Sequence, residues 1–230
     1  MCVSASRARL VVPDQQHVVG VPLRRLPGWL EGFAARHGEW AATPSVEPHG
    51  WELLAADDAR AQVVVPTWLE SEPRPFDPEA LSGLAPTFGV LLLRRAGYAV
   101  AAFEGGTVAE KKVGTRHIHG RTAAGGWSQQ RYARRRDNQA DEIVDSAAEH
   151  VDRILLPRPD LQFLVTGGDR PLLNAALKAV DPRLAALPIG AHLGVGTPDA
   201  KMLAVIPDRV LAVQIRIGGP QAGPGNPSTS

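Results

Sequence analysis

The sequence predicts an α/β (α+β) fold: a mixed sheet with helices laid on it, preceded by a small α+β region. Three observations carry this. Residues 90–93, 98–103 and 107–113 are consecutive apolar segments joined by short turns at 94–97 and 104–106, the pattern of an antiparallel meander. Residues 130–156 then hold Ala140, Ile143, Val144, Ala147, Ala148, Val151, Ile154 and Leu155 as one apolar stripe at helical spacing. Residues 161–166 are a short apolar run closed by Gly167 and Gly168, after which Asp169 can cap a helix that runs to Val180.

The remaining elements follow in chain order. Residues 9–21 read as short extended segments. Pro22 and Pro27 bracket a helix start; Leu26, Leu30, Phe33 and Ala34 recur at helical spacing, and Gly38 stops it. Residues 51–55 and 62–65 are two apolar runs joined through Asp57 and Asp58, as in a hairpin. The proline-rich stretch 66–86 reads as a connection. After Gly190 the chain returns with two further apolar runs, 202–206 and 210–217. Residues 218–230 are too poor in apolar side chains to pack and are expected to be disordered. The expected division is a small N-terminal α+β region at 1–85, a larger unit at 86–217 and a tail at 218–230. The succession of strands and helices in the larger unit suggests a ribonuclease-H-like mixed sheet.

Composition narrows the function classes. The chain has 230 residues, 44% of them hydrophobic, enough for a substantial core. Charges or prolines interrupt every apolar run, so no segment reads as a membrane span, and the N-terminus lacks the apolar stretch of a signal peptide. One cysteine, Cys2, excludes an internal disulfide and a cysteine-based zinc site. The expectation is a cytoplasmic protein with no membrane partner.

Charge is concentrated in one window. Lys111, Lys112, Arg116, Arg121, Arg131, Arg134, Arg135 and Arg136 fall between Glu110 and Asp137, with no carboxylate among them. The formal charge of the chain is +1, so this window of +8 leaves −7 for the rest. A positive field confined to one short stretch points to a polyanion, most commonly nucleic acid. Residues 114–128 have no apolar period and contain Gly114, Gly120, Gly125 and Gly126, so they read as a long loop of the functional kind. Paired glycines let a backbone approach another molecule closely. The neighbouring glutamines Gln129 and Gln130 supply amides that donate and accept without titrating. Such a tip can enter an RNA-lined cavity, position a water and stabilise an oxyanion, while surrounding cations hold phosphates. An exposed Trp127 can stack on a terminal base.

The order His119-Gly120-Arg121, Gly125-Gly126, Ser128 and Arg131-Tyr132-Ala133-Arg134-Arg135-Arg136 resembles the catalytic loop and following helix of eukaryotic and archaeal class I peptide-chain release factors. Those factors carry Gly-Gly-Gln at the tip. Here, counted back from Arg131 without gaps, Trp127 takes the glutamine position, the glutamines come later, and Thr122-Ala123-Ala124 are additional. The tip Gly126-Trp127-Ser128-Gln129 is similar instead to release-factor-like peptidyl-tRNA hydrolases of the VLRF type, in their actinobacterial branch. The resemblance is specific over residues 114–140 and loose over the sheet from Thr87 to Ile217, and it does not cover 1–85. It implies a release-factor catalytic domain that hydrolyses the ester between a nascent peptide and its tRNA, with peptidyl-tRNA and the large ribosomal subunit as partners and no cofactor. Gln129, or alternatively Gln130, would be the catalytic amide, with Gly125 and Gly126 shaping the tip. Lys111, Lys112, Arg116, Arg121, Arg131, Arg134 and Arg135 would contact RNA.

Other readings compete at single features. His117 and His119 have metal-pair spacing, but no third ligand lies nearby, so no metal is expected. Gly167-Gly168-Asp169 lacks the lysine and spacing of a phosphate loop and reads as a helix cap. Two rival functions remain on the same fold: a non-catalytic tRNA- or rRNA-binding module, and a nuclease cutting near the tRNA 3′ end.

Overall fold

The computed structural model describes residues 17–46, 48–69, 75–115 and 127–218, with residues 127–139 described by their backbone alone. Two five-stranded sheets form, each with its own helices. The mixed α+β class expected from the sequence holds.

The chain opens with β1 (His17–Pro22) and, after a 3₁₀ turn, α1 (Leu26–His37). Leu26, Leu30 and Phe33 are the buried face of α1, and Gly38 ends it at φ 82°, a conformation that side chains with a Cβ resist. Next come β2 (Trp40–Ser45), β3 (Gly50–Ala55) and β4 (Arg60–Val64). β3 and β4 form the hairpin expected at 51–65, with the turn at Asp57 and Asp58. β2 was not foreseen; its Pro44 is tolerated because β2 is an edge strand. The proline-rich connection holds a 3₁₀ turn at Thr67–Leu69 and the short α2 (Pro78–Ser82), whose first turn is capped by the Asp77 carboxylate accepting from Ala80 N–H at 2.9 Å.

The second sheet begins with the expected meander β5 (Thr87–Arg94), β6 (Gly97–Glu104) and β7 (Thr107–Thr115). The long helix α3 (Trp127–Leu155) follows, then β8 (Phe163–Gly168), α4 (Arg170–Ala179), the single turn α5 (Pro182–Ala185), β9 (Ile189–Leu193), α6 (Ala200–Val210) and β10 (Ala212–Gly218). Strand order is β7-β6-β5-β8-β9, with β5, β8 and β9 mutually parallel and the meander antiparallel. The two faces of this sheet carry separate cores. On one, Ile143, Val144, Ala147, Ala148, Val151, Ile154 and Leu155 of α3 and Leu172, Leu173 and Ala176 of α4 cover Leu91, Leu93, Tyr98 and Val100. On the other, Leu203, Ile206 and Val210 of α6 cover Val90, Leu92, Ala99 and Phe103.

Two segments of the larger unit differ from the sequence reading. Residues 202–206, read as one of two returning apolar runs, lie inside α6. Their neighbours explain why: Leu203, Ile206, Pro207 and Val210 recur at helical spacing, and Asp199 caps the helix by accepting from Met202 N–H. The strand role falls instead to β9, whose Gly190 and His192 hide any apolar pattern. Residues 210–217 do form a strand, but β10 inserts between β1 and β4 in the first sheet, giving the order β1-β10-β4-β3-β2. The two halves of the chain are thereby interlocked. Trp68 fastens them, stacking on Phe163 at 5.1 Å and donating its indole N–H to Val210 O at 3.0 Å. Thr67 adds a hydroxyl bond to Gly190 O at 2.8 Å.

Candidate functional site

α3 and β7 flank the glycine- and cation-rich segment, and both are anchored. α3 runs 29 residues, about 43 Å at 1.5 Å per residue. Its stripe from Ala140 to Leu155 is the one predicted from the sequence. Leu155 lies over Gly89, where any Cβ would stand 2.7 Å from a Leu155 methyl, so the helix end seats against the start of β5. His150 lies over Tyr98, at the start of β6. The helix therefore runs antiparallel to β5, and its N-terminal direction points to the sheet end where β5 turns into β6 and β7 stops.

Glu110 ties β7 to the far end of α3. Its two carboxylate oxygens accept from Arg153 Nη1 at 3.1 Å and Arg158 Nη2 at 3.3 Å. Arg158 also donates to Ile154 O, placing a cation against the C-terminal carbonyls of α3, where the helix dipole favours it. The last carboxylate before the cationic window is thus engaged on the opposite side of the molecule from the start of α3.

Tyr98 and Gly114 stand directly opposite each other across β6 and β7. The Tyr98 ring covers the glycine: a Cβ there would lie 2.3 Å from Cε1 and 2.5 Å from Cζ. Above the ring sits His150, centroids 5.6 Å apart, with the phenolic oxygen 3.5 Å from Nδ1. His150 Nδ1–H donates to Ser146 O at 2.7 Å, which fixes the imidazole on its own helix. Burial, and to a smaller extent the negative field of Glu149, pushes the Tyr98 phenol above its ordinary pKa. An aromatic plate thus braces the end of β7 against α3. The sequence reading missed this plate; its only local sign is a glycine near a strand end paired with an aromatic.

The predicted site residues fall into three groups. Lys111 and Lys112 are exposed on β7, the outer strand of its sheet. Lys112 pairs with Val100, whose side chain belongs to the α3 face; Lys111 pairs with Ala101, which belongs to the α6 face. The two lysines therefore diverge to opposite faces, as strand alternation requires. Trp127, Gln129, Gln130, Arg131, Arg134 and Arg135 all lie in α3. The helix begins at Trp127 rather than near Gln130, so both glutamines belong to its first turn. Arg116, Arg121, Gly125 and Gly126, with His117 and His119, lie outside the described residues. Among the described residues, no helix is long and apolar enough to cross a membrane.

One comparison with known proteins bears on the family. The model of a family described as Actinobacteria/chloroflexi VLRF1 release factor matches residues 86–216, more than half of the chain. A solved archaeal translation termination factor aligns over 84% of this chain and 66% of its own, at 12% identity and a TM-score of 0.37. A second solved structure, described as an archaeal protein, aligns over the same shares at 10% identity and the same TM-score. The chain thus spans just under two thirds of the length of these relatives. No curated protein matches it.

Proposed function

Because the chain belongs to the Actinobacteria/chloroflexi VLRF1 release-factor family, we propose that it hydrolyses the peptidyl-tRNA ester in rescue of stalled ribosomal complexes. One observation carries the reading: a glycine-paired segment runs directly into a helix whose first turn holds Gln129 and Gln130, and the window 111–136 that spans both holds eight cations and no carboxylate. Water is the nucleophile. It adds to the ester carbonyl, the tetrahedral oxyanion collapses, and the terminal ribose oxygen leaves with a proton, releasing a peptide acid and an intact tRNA. The Gln129 amide orients the water or the oxyanion, with Gln130 as the alternative.

The helix start adds a second source of donors. The first N–H groups of an α-helix have no intrahelical acceptor, and here they include those of Trp127, Ser128 and Gln129. They are aimed back along the axis, and the helix dipole favours negative charge in front of them. Arg131, Arg134 and Arg135 follow at once. In the second and third turns of the helix, they are placed to contact RNA phosphate. In this reading Arg116 and Arg121 hold phosphates beside the tip, Gly125 and Gly126 let it approach the ester, and Trp127 stacks on the terminal base for ~1–3 kcal/mol. The large ribosomal subunit supplies the RNA walls.

Single-turnover release of peptide from peptidyl-tRNA, free and on stalled large subunits, tests the assignment. Gln129→Ala should lower the rate on the order of 10²–10³-fold, the cost of losing an oxyanion donor. Full activity in both Gln129→Ala and Gln130→Ala would sink it. Analysis of the tRNA product separates the rivals: an intact 3′ end means ester hydrolysis, a shortened one a nuclease, and salt-dependent binding without release a non-catalytic module.

A further inference from the structure

The sheet end at which β7 stops carries cations that the sequence scatters. β5 ends at Arg94 and turns through Arg95 and Ala96 into β6. On one side of β5, Leu93 pairs with Gly168, and Asp169 N–H donates to Leu93 O at 2.8 Å. Arg170, the first residue of α4, therefore sits beside the turn. On the other side, Gly97 pairs with Thr115, the residue that precedes Arg116. Arg94, Arg95, Arg170 and the root of the loop thus share one rim, set by strand spacings of about 4.8 Å.

All three arginines are exposed, and none forms an ion pair among the described residues. Asp169 is the carboxylate closest to them in the chain, and it pairs with none of them among the described residues. Gly168 makes room for the cluster. At φ +106° a Cβ would stand 2.2 Å from Leu93 O and 3.2 Å from Arg94 Cγ, so any side chain would displace the Arg94 stem. Within the protein Arg170 opens α4 with no acid in the first turn, against the helix dipole. An external polyanion relieves this.

We propose that Arg94, Arg95 and Arg170 form an RNA phosphate-binding rim at the sheet end where β7 stops. The proposal rests on the reading above only in taking RNA as the partner. The rim positions RNA backbone; its residues do not touch the reacting ester.

The test compares two variants of equal charge change. One carries Arg94→Gln, Arg95→Gln and Arg170→Gln. The other carries Arg36→Gln, Lys178→Gln and Arg209→Gln, three exposed cations placed elsewhere on the fold. Binding of a full-length tRNA transcript and of purified large ribosomal subunits is measured across a salt series. Each lost phosphate contact should flatten the log–log salt slope by about 0.7–0.9, so the rim variant should lose about 2–3 in slope on at least one of the two RNAs, with about tenfold or more in affinity. The control variant should keep the parent slope. Parent-like slopes for the rim variant on both RNAs, or equal losses in the two variants, would overturn the rim. Loss of slope in the rim variant alongside fully active Gln129→Ala and Gln130→Ala would leave the rim standing and remove the catalytic assignment; parent-like slopes with release lost in either glutamine variant would do the opposite.

Discussion

Replacing Gly114 with alanine should break the brace at the end of β7, and the structure sets the size of the effect. The new Cβ would stand 2.3 Å from Tyr98 Cε1, 2.5 Å from Cζ and 2.8 Å from the phenolic oxygen. Carbon atoms rest at about 3.5–4.0 Å, so the ring must retreat by more than an ångström. Retreat is blocked by His150, whose ring centroid is 5.6 Å away and whose Nδ1 is held by Ser146 O. Overpacking of this kind costs about 1–3 kcal/mol. Urea denaturation reads this directly. A double-mutant cycle isolates the cause: in a Tyr98→Ala background the ring is gone, and Gly114→Ala should become neutral or gain the ~0.5–1 kcal/mol by which alanine outperforms glycine in a strand. Tyr98→Phe should not relieve the clash, because Cε1 and Cζ remain. Equal destabilisation by Gly114→Ala in the parent and in the Tyr98→Ala background would refute the reasoning.

Three further outcomes follow from the same geometry. Glu110→Gln should cost only ~0.2–1 kcal/mol in denaturation, since its bonds to Arg153 and Arg158 are partly solvent-exposed; a loss of several kcal/mol would mean a buried pair. Trp68→Ala should cost up to about 3 kcal/mol, near the low end for a large aromatic because Trp68 is only part-buried, and Trp68→Phe about 1 kcal/mol for the lost bond to Val210 O. In a Tyr132→Phe variant, absorbance titration should show Tyr98 ionising above its ordinary value of 10.0. With the folded-state pKa raised, its contribution to stability is complete below the unfolded phenol's pKa and falls as pH rises through the folded one, so denaturation midpoints should drop on the alkaline side; a phenol titrating at or below 10.0 would contradict the burial.

What could be read from the chain alone was whatever near neighbours encode. The stripe of α3 is a period of 3.6 written in Ile143, Val144, Ala147, Val151 and Ile154, and each of these is buried. The β5–β6–β7 meander is written in apolar runs and two-residue turns, and the concentration of charge after Glu110 is a matter of counting. Gly38 and the Asp57–Asp58 turn are local punctuation of the same kind. The family resemblance, too, rests on a contiguous stretch.

Only the tertiary structure decided which strand meets which. β10 pairs with β4, where Arg216 donates to Gln62 Oε1 across 154 residues of sequence, and nothing in either segment names the other. An apolar strand will satisfy any sheet edge of matching register, so the choice is made by packing, here by α6 and by Trp68 closing over Phe163. The same holds for function. Arg94, Arg95 and Arg170 are ordinary surface cations in the sequence; parallel pairing of β5 with β8 makes them one rim beside the loop root, and strand alternation sends the adjacent Lys111 and Lys112 to opposite faces. Periodicity is carried along the chain, whereas the convergence of charge is carried across the sheet by hydrogen bonds between strands distant in sequence.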